Sequence, residues 1–554
     1  YELLVRDFIG RHDYTTLIDT LAYLDRLGVN AIELMPVSEF EGNISWGYNP
    51  SFHLALDKYY GPKNEFKRFV DSCHGRGIAV ILDVVYNHAF SQSPLAQLYW
   101  DASAFRPTPE NPWLNPVARH PFNVGYDFNH ESDATRIFVD RVLEYWTSEF
   151  RVDGYRFDLS KGFTQRQSDD DSEFRLFDSS RVSILKHYAD VVWGINPDAY
   201  IILEHFAENR EEIELSDYGM LLWAGAGVHN QYLEAAMGYN SDLSGAFASS
   251  RGWNRQHLVA YMESHDEERM MYKNLEFGNG SGSYNVKSVQ TALDRIELAS
   301  AFFYTVPGPK MLWQFGELGY DFSINHCQDG SVNPACRTDP KPIVWNYFQQ
   351  SGRRDAYEKI SAMIRLKKNF EVFSTDDFSM SVQGTGPKKI QLNHPTMDAA
   401  VVGNFDVVSR SLSRPFQHPG TWYEFFSGDS IVVSSVNTSM TLLPGEYRIY
   451  TSENIGTADD IATSATEQQE DPFRLRVFPN PSSGEINVRY RLERASMVSL
   501  QMFDQEGRQL QTLLRERQGS GEHTFQHSPA LPAGTYYLVL VADGRIEVIP
   551  LIVE

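Results

Sequence analysis

The sequence predicts an α/β protein: a (β/α)8 TIM barrel over 1–371, an antiparallel β domain over 372–451, a linker over 452–472 and a β-sandwich module over 473–554. Three observations carry this reading. From residue 1 to about 370, short apolar runs alternate with stretches of helical periodicity, the pattern of repeated βα units on a parallel sheet. Beyond about 372 the runs turn short and alternating and are broken by Gly and Pro, as antiparallel strands are. A tract over 452–472 rich in Ser, Thr, Ala, Gln and acidic residues, with few apolar ones, then separates a second β-rich region.

Taken in order, the predicted barrel strands are 2–8, 31–36, 79–85, 154–158, 199–204, 219–223, 257–263 and 309–315, and eight is the number that closes a (β/α)8 barrel. The segments 14–27 and 65–76 carry apolar residues at helical spacing and run into Gly28 and Gly77, the residue type that ends helices in left-handed conformation. Between the third and fourth strands, 89–129 is long, Pro-rich and irregular; such a loop on a barrel is expected to build part of an active-site wall. In the following domain, 399–402 and 431–435 are typical of its short alternating runs.

Bulk properties remove several functional classes. At 554 residues the chain exceeds one hydrophobic core. Its 73 acidic against 49 basic side chains give a formal charge of -24, which repels polyanions, so nucleic acid is not expected as a partner. No stretch reaches the roughly eighteen uninterrupted apolar residues of a membrane span. Aromatic residues make up 13% of the chain, and rings with a polar edge are what flat sugar faces stack on. Of three Cys, Cys327 and Cys336 share a loop and would pair in an oxidising compartment, whereas Cys73 lies in a helical pattern as a buried thiol. Tyr1 opens directly in a strand-like run, so a preceding segment, with any signal peptide, is expected upstream.

A (β/α)8 barrel places its site at the C-terminal ends of its strands, which makes the residues at the predicted exits decisive. The third strand ends in Asp83-Val-Val-Tyr-Asn-His88, the fourth in Gly154-Tyr-Arg-Phe-Asp158, the fifth in Ile201-Ile-Leu-Glu-His205 and the seventh in Glu263-Ser-His-Asp266. Arg156 and Asp158, two apart on a strand, face the same way, so a guanidinium can hold that carboxylate ionised, as a nucleophile requires. Glycoside cleavage needs a second carboxyl that delivers a proton to the leaving oxygen, and Glu204 on the neighbouring strand is the candidate. Asp266 beside His265 supplies a third carboxylate for the positive charge that develops on the sugar ring.

These four exits together resemble the four signature regions of the α-amylase family of glycoside hydrolases, a likeness that covers the whole predicted barrel. The resemblance implies a retaining double displacement with Asp158 as nucleophile, Glu204 as general acid and then base, and Asp266 as transition-state stabiliser. It further implies that Asp83, His88, Arg156 and His265 bind the sugar at the cleaved position. The segment Trp46-Gly-Tyr-Asn-Pro50 resembles the family stretch whose Tyr lies under the sugar, so Tyr48, with Trp46, is a stacking candidate, and Lys161 resembles a leaving-group-side contact. No cofactor is required, but many relatives hold a structural calcium, and Asn87 matches one ligand position.

The expected activity is cleavage of internal α-1,4 bonds in starch, glycogen or related α-glucans. Glu33-Leu-Met-Pro-Val37 with 46–50 looks closer to branching, debranching and trehalose-forming relatives, which keeps a 1,4-α-glucan branching transglycosylase as the alternative. A non-catalytic glucan-binding homologue is the third reading, disfavoured because all three carboxylates are present. In the last module, Val477-Phe-Pro-Asn-Pro481 and Leu531-Pro-Ala-Gly-Thr-Tyr-Tyr537 resemble the C-terminal sorting domain of the type nine secretion system. That implies a secreted or cell-surface protein with the secretion machinery as a partner, although the terminal run to Glu554 lacks the basic residues often found there. A β-sandwich that binds glycan or stabilises the enzyme is the other reading of this module.

Overall fold

Eight parallel strands form the centre of the N-terminal unit: β1 (Glu2–Leu3), β2 (Ala31–Leu34), β3 (Ala79–Val84), β4 (Gly154–Phe157), β5 (Tyr200–Leu203), β6 (Leu221–Trp223), β7 (Leu258–Tyr261) and β8 (Lys310–Met311). Each pairs with the next in sequence order. The ring closes where Glu2 bridges Trp313 in parallel, with Glu2 N donating to Leu312 O and Gln314 N to Glu2 O. The computed structural model describes residues 1–460, 473, 475–482, 484–492, 494–504, 508–528, 531–542 and 545–553. They divide into two units, Tyr1–Ala458 and Asp459–Glu554. The expected linker therefore lies mostly outside the described residues.

Side chains of Ile81, Ile202, Trp223, Val259, Tyr261 and Met311 fill the barrel interior, so it is a packed core and the chemistry is confined to its rim. Helices cover the outside. In α3 (Lys63–His74) the buried residues are Phe66, Phe69, Val70 and Cys73, an i, i+3, i+4, i+7 stripe that explains why this segment is a helix packed by one face. Burial pushes the Cys73 thiol up to about 12, an inert core position.

Three elements differ from the sequence expectation. The first strand stops at Leu3, and Val5–Phe8 is a helical turn in which Arg6 pairs bidentately with Asp7, both buried. The run 14–27 is two helices, α1 (Tyr14–Asp19) and α2 (Leu21–Leu27), broken at Thr20, whose hydroxyl bonds back to Leu17 O. Finally, α3 ends at Gly75 in ordinary right-handed geometry, while Gly77 takes the left-handed turn two residues later.

The loop over 89–129 has a small core of its own, Ala89, Ala96, Leu114 and Phe128. Two minimal antiparallel pairs tie it down, His88–Ala89 with Tyr126–Asp127 and Trp100–Asp101 with Arg106–Pro107. Another antiparallel pair, Ser38–Phe40 with Pro50–Leu56, brackets Trp46 and Tyr48.

After the barrel, β9 (Phe378–Ser381), β10 (Pro387–Leu392), β11 (Ala399–Asn404), β12 (Gly420–Glu424), β13 (Ser430–Val433) and β14 (Tyr447–Thr451) form an antiparallel sheet in the order β9-β10-β11-β14-β12-β13. Ala400, Val402, Phe416, Trp422 and Leu442 make its core. The second unit has two antiparallel sheets. One is β15 (Arg476–Phe478), β16 (Ile486–Leu492) and β19 (Gly521–His527); the other is β17 (Ser496–Phe503), β18 (Gln509–Gln518), β20 (Gly534–Ala542) and β21 (Arg545–Val553). Alternate residues of β16 and β17 point into a core with Phe473, Leu538 and Leu540, the period-2 burial of a two-layer β module.

Candidate active site

Strand register assembles the site. Arg156 lies directly opposite Asp83 on β3 and Ile202 on β5, and Phe157 lies opposite Leu203. One residue further on, Asp158 and Glu204 leave neighbouring strands side by side: Asp158 N donates to Val84 O at 3.0 Å and Glu204 N to Phe157 O at 3.1 Å. The next residue, Leu159, adopts a left-handed φ of 42°, a strained conformation for a branched side chain, and its N–H reaches Glu204 Oε2 at 3.0 Å.

Arg156 is fully buried and joins three carboxylates. Its Nη1 donates to Asp83 Oδ1 at 2.8 Å and to Asp158 Oδ1 at 3.1 Å, while Nη2 donates to Glu204 Oε2 at 2.8 Å. The guanidinium lies 4.1 Å from the centroid of the Trp223 ring. Arg156 thus divides its charge among Asp83, Asp158 and Glu204. Burial and the nearby Glu204 carboxylate push the Asp158 carboxyl well above the usual carboxylate range, against the pull of Arg156.

At the seventh exit, His265 Nδ1 meets Glu2 Oε1 at 2.5 Å and its backbone N–H donates to Glu2 Oε2. Burial pulls the imidazole down, yet Glu2 and Asp266 outweigh it and hold His265 up to about 9. Its Nε2 lies 3.8 Å from Asp266 Oδ2. Asp266 also receives Arg337 Nη2 on Oδ1 at 2.9 Å. Against partial desolvation of this half-exposed carboxylate, these two cations keep Asp266 below the usual range. Tyr48 stacks on His265 with ring centroids 5.1 Å apart, and its hydroxyl donates to Asp83 Oδ2. Trp46 meets the same imidazole edge-on at 5.5 Å.

Asp83, Arg156, Asp158, Glu204, His265, Asp266, Tyr48 and Trp46 are thereby linked in one cluster. Two predicted residues sit differently. His88 is buried and its Nε2 bonds Tyr48 O at 2.8 Å, so its ring holds the Tyr48 loop and offers that nitrogen to no ligand. The Lys161 ammonium lies 3.0 Å from Asp171 Oδ1 and 4.6 Å from the Phe174 ring centroid. Glu2, Trp223 and Arg337 escaped the sequence reading. Glu2 alone left a trace, an acid inside an apolar strand run.

Asn87 Oδ1, Asp127 Oδ1 and both ring nitrogens of His120 are buried without a hydrogen-bond partner. Asn87 Oδ1 and His120 Nε2 meet beside Gly162, where an added Cβ would lie 1.8 Å and 3.0 Å from them, and Asp127 Oδ1 lies 3.4 Å from His120 Nε2. The two oxygens fit a hard cation and the imidazole fits it poorly. Among the described residues no group of three His, Cys, Asp or Glu side chains is arranged to hold a metal. Cys327 and Cys336, left open by the sequence, form a disulfide.

Residues 7–121 match the family model for the alpha amylase catalytic domain, and 476–554 match that for the secretion system C-terminal sorting domain. A malto-oligosyltrehalose trehalohydrolase of Saccharolobus solfataricus is 33% identical over 194 residues, 35% of this chain and 30% of that protein. The chain thus spans less than a third of the length of this curated relative. A 1,4-alpha-glucan branching enzyme of Oceanobacillus iheyensis is 22% identical over 456 residues, 77% of this chain and 67% of its own length. The crystal structure of an Anoxybacillus alpha-amylase superposes with a TM-score of 0.64 at 16% identity, covering 81% of this chain and 93% of that one. A closed barrel with acidic side chains at successive strand exits thus coincides with a match to the alpha amylase catalytic domain over residues 7–121. The chain has the fold of the alpha-amylase on which it superposes, and its residues 7–121 carry the likeness to the alpha amylase catalytic domain. Its sorting domain marks it as secreted or cell-surface, and no helix among the described residues is long and apolar enough to cross a membrane.

Proposed function

We propose that the protein cleaves internal α-1,4-glucosidic bonds of starch, glycogen or related α-glucans with retention of configuration. The observation that carries this reading is the single guanidinium of Arg156 bonded to both Asp158 and Glu204. Two carboxyls bridged in this way suit the separation of roughly 5 Å used in retention better than the wider gap an inverting water needs. In the proposed sequence Asp158 attacks the anomeric carbon while Glu204 protonates the departing glycosidic oxygen. Glu204 then takes a proton from water, which displaces Asp158 from the sugar. Asp266, held ionised between His265 and Arg337, faces the ring that becomes positive, and Asp83 with Tyr48 orients its hydroxyls. No cofactor takes part in these steps. A structural calcium, where bound, would take Asn87 Oδ1 and Asp127 Oδ1, away from the reacting carbon.

A second reading, glucan branching, is supported by the likeness to a branching enzyme over 77% of the chain. The two differ in whether water or a glucan hydroxyl takes the glycosyl group from Asp158. Incubation with amylose is expected to release reducing ends, and Asp158→Ala should lower that rate at least about a thousandfold, roughly 4 kcal/mol of barrier. New α-1,6 branch points with few reducing ends would replace hydrolysis by transfer. Full activity of the Asp158→Ala variant would remove the proposed nucleophile.

A further inference from the structure

We propose that Arg337 is a positioning residue for Asp266 and that the Cys327–Cys336 disulfide keeps it there, so that reduction of this loop weakens the active site. The inference rests on the reading of Asp266 as the charge-stabilising carboxylate.

One nitrogen of Arg337, Nη2, donates both to the backbone carbonyl of Asp266 and to its Oδ1, the latter at 2.9 Å. Gripping main chain and side chain of one residue fixes the carboxylate's rotation about its own stem. Oδ2 is left facing the His265 imidazole, 3.8 Å away. Glu2, His265, Asp266 and Arg337 thus form a row of alternating charge, in which each ion is held by the opposite one beside it. The Arg337 guanidinium also lies 5.9 Å from the Trp46 ring centroid, which places it against the wall of the same cleft.

Arg337 is delivered by a loop with little to hold it. Residues 328–335 are all exposed and place no side chain in the core. Their backbone bonds stay within 325–337, among them Cys327 N to Ser331 O, Asn333 N to Asn325 O, Cys336 N to Asn333 O and Arg337 N to Pro334 O, with His326 bridging Val332. On the far side of Arg337, Arg6 clamps the carbonyls of Thr338 and Asp339, and Lys341 those of Cys336 and Asp339. On the near side the covalent tie is the disulfide, which links Cys336, adjacent to Arg337, to buried Cys327. A dithiol reductant converts the two sulfurs to thiols and itself closes to a disulfide, leaving the near side of Arg337 held by hydrogen bonds alone, such as Asn333 N to Asn325 O and Lys341 Nζ to Cys336 O.

The test measures kcat and KM on a maltooligosaccharide with the full chain. Arg337→Met is expected to lower kcat about tenfold or more with KM changed less than about threefold, because a group acting in the transition state is disturbed. The acid limb of its pH profile should move to higher pH, since Asp266 loses a cation that favours its charged form; Arg337→Lys should recover part of both effects. Dithiothreitol should lower wild-type kcat several-fold, reversibly on reoxidation, and leave the Cys327→Ser/Cys336→Ser variant, already slow, unchanged. Wild-type kcat and pH profile in Arg337→Met, or an undiminished kcat in the reduced enzyme, overturns the proposal. Melting temperatures of all variants separate unfolding from mispositioning. Asp266→Asn decides the underlying reading separately: if it stays active, the role of Asp266 fails, whereas if it is inactive and Arg337→Met is not, only the positioning claim fails.

Discussion

At the exits of β3, β4 and β5 a single buried guanidinium faces Asp83, Asp158 and Glu204, and on the opposite rim Glu2 and Asp266 flank His265. Three carboxylates share one cation at the first rim, and Arg156 has no access to water, where an unpaired ion costs several kcal/mol. His265 shows what one partner contributes. Its folded-state value of about 9 lies above the ordinary 6.5, so the stabilisation is fully present below about 6.5 and is lost as pH rises through about 9. The span of that shift corresponds to something on the order of 3 kcal/mol. Replacing Glu2 with Gln keeps an acceptor for Nδ1–H and removes the charge, so the imidazolium should lose its proton at lower pH. The alkaline limb of kcat/KM is expected to move down by about one pH unit or more, a change NMR titration of the ring would report directly. An unmoved limb together with an unmoved ring titration would show that Glu2 does not set this charge.

Among the strands, β4 carries the closest fit. A Cβ on Gly154 would stand 2.3 Å from Tyr200 O and 2.7 Å from Tyr200 Cβ on β5, the strand that presents Glu204. Gly154→Ala must therefore spread the β4–β5 pair, with an expected loss of about 1–3 kcal/mol in chemical denaturation and a fall in kcat as Asp158 and Glu204 separate. Wild-type stability in that variant would mean the pair is looser than the register implies. The barrel was legible in the sequence because parallel strands buried on both faces appear as apolar runs, and the exits were legible because acids interrupt those runs at Asp83, Asp158 and Glu204. The helical turn at Val5–Phe8 was not, since a short apolar run such as 2–8 has no period that separates strand from turn, and the buried Arg6–Asp7 pair decides it. Nor could spacing reveal that His265 bonds Glu2, 263 positions away, or that Arg337 reaches Asp266 across 71. Those contacts exist only once β1 has closed against β8 and β7 lies nearby. The partners of His88 and Lys161, Tyr48 O and Asp171, were illegible for the same reason: they come from other loops.

For the molecule as a whole, the division at residue 458 separates two independent sets of buried side chains. Phe473, Leu475, Ile486, Val488, Tyr490, Val498, Leu500, Leu538, Leu540 and Leu551 form one core within Asp459–Glu554, and every member belongs to that unit. A unit that buries its own apolar surface can unfold without the other. Calorimetry of the full chain is then expected to show two transitions. The smaller should have an enthalpy of about 60–80 kcal/mol, the usual size for a domain of roughly a hundred residues. A chain ending at Ala458 should lack that transition, retain the larger one and keep the kcat/KM of the full chain, because each residue placed in the cleft lies before 458. One cooperative transition, or a truncated chain that melts markedly earlier and loses activity, would mean that the sorting module also supports the fold of the catalytic unit. If the two transitions are found, the sorting module and the proposed active site are physically separable units.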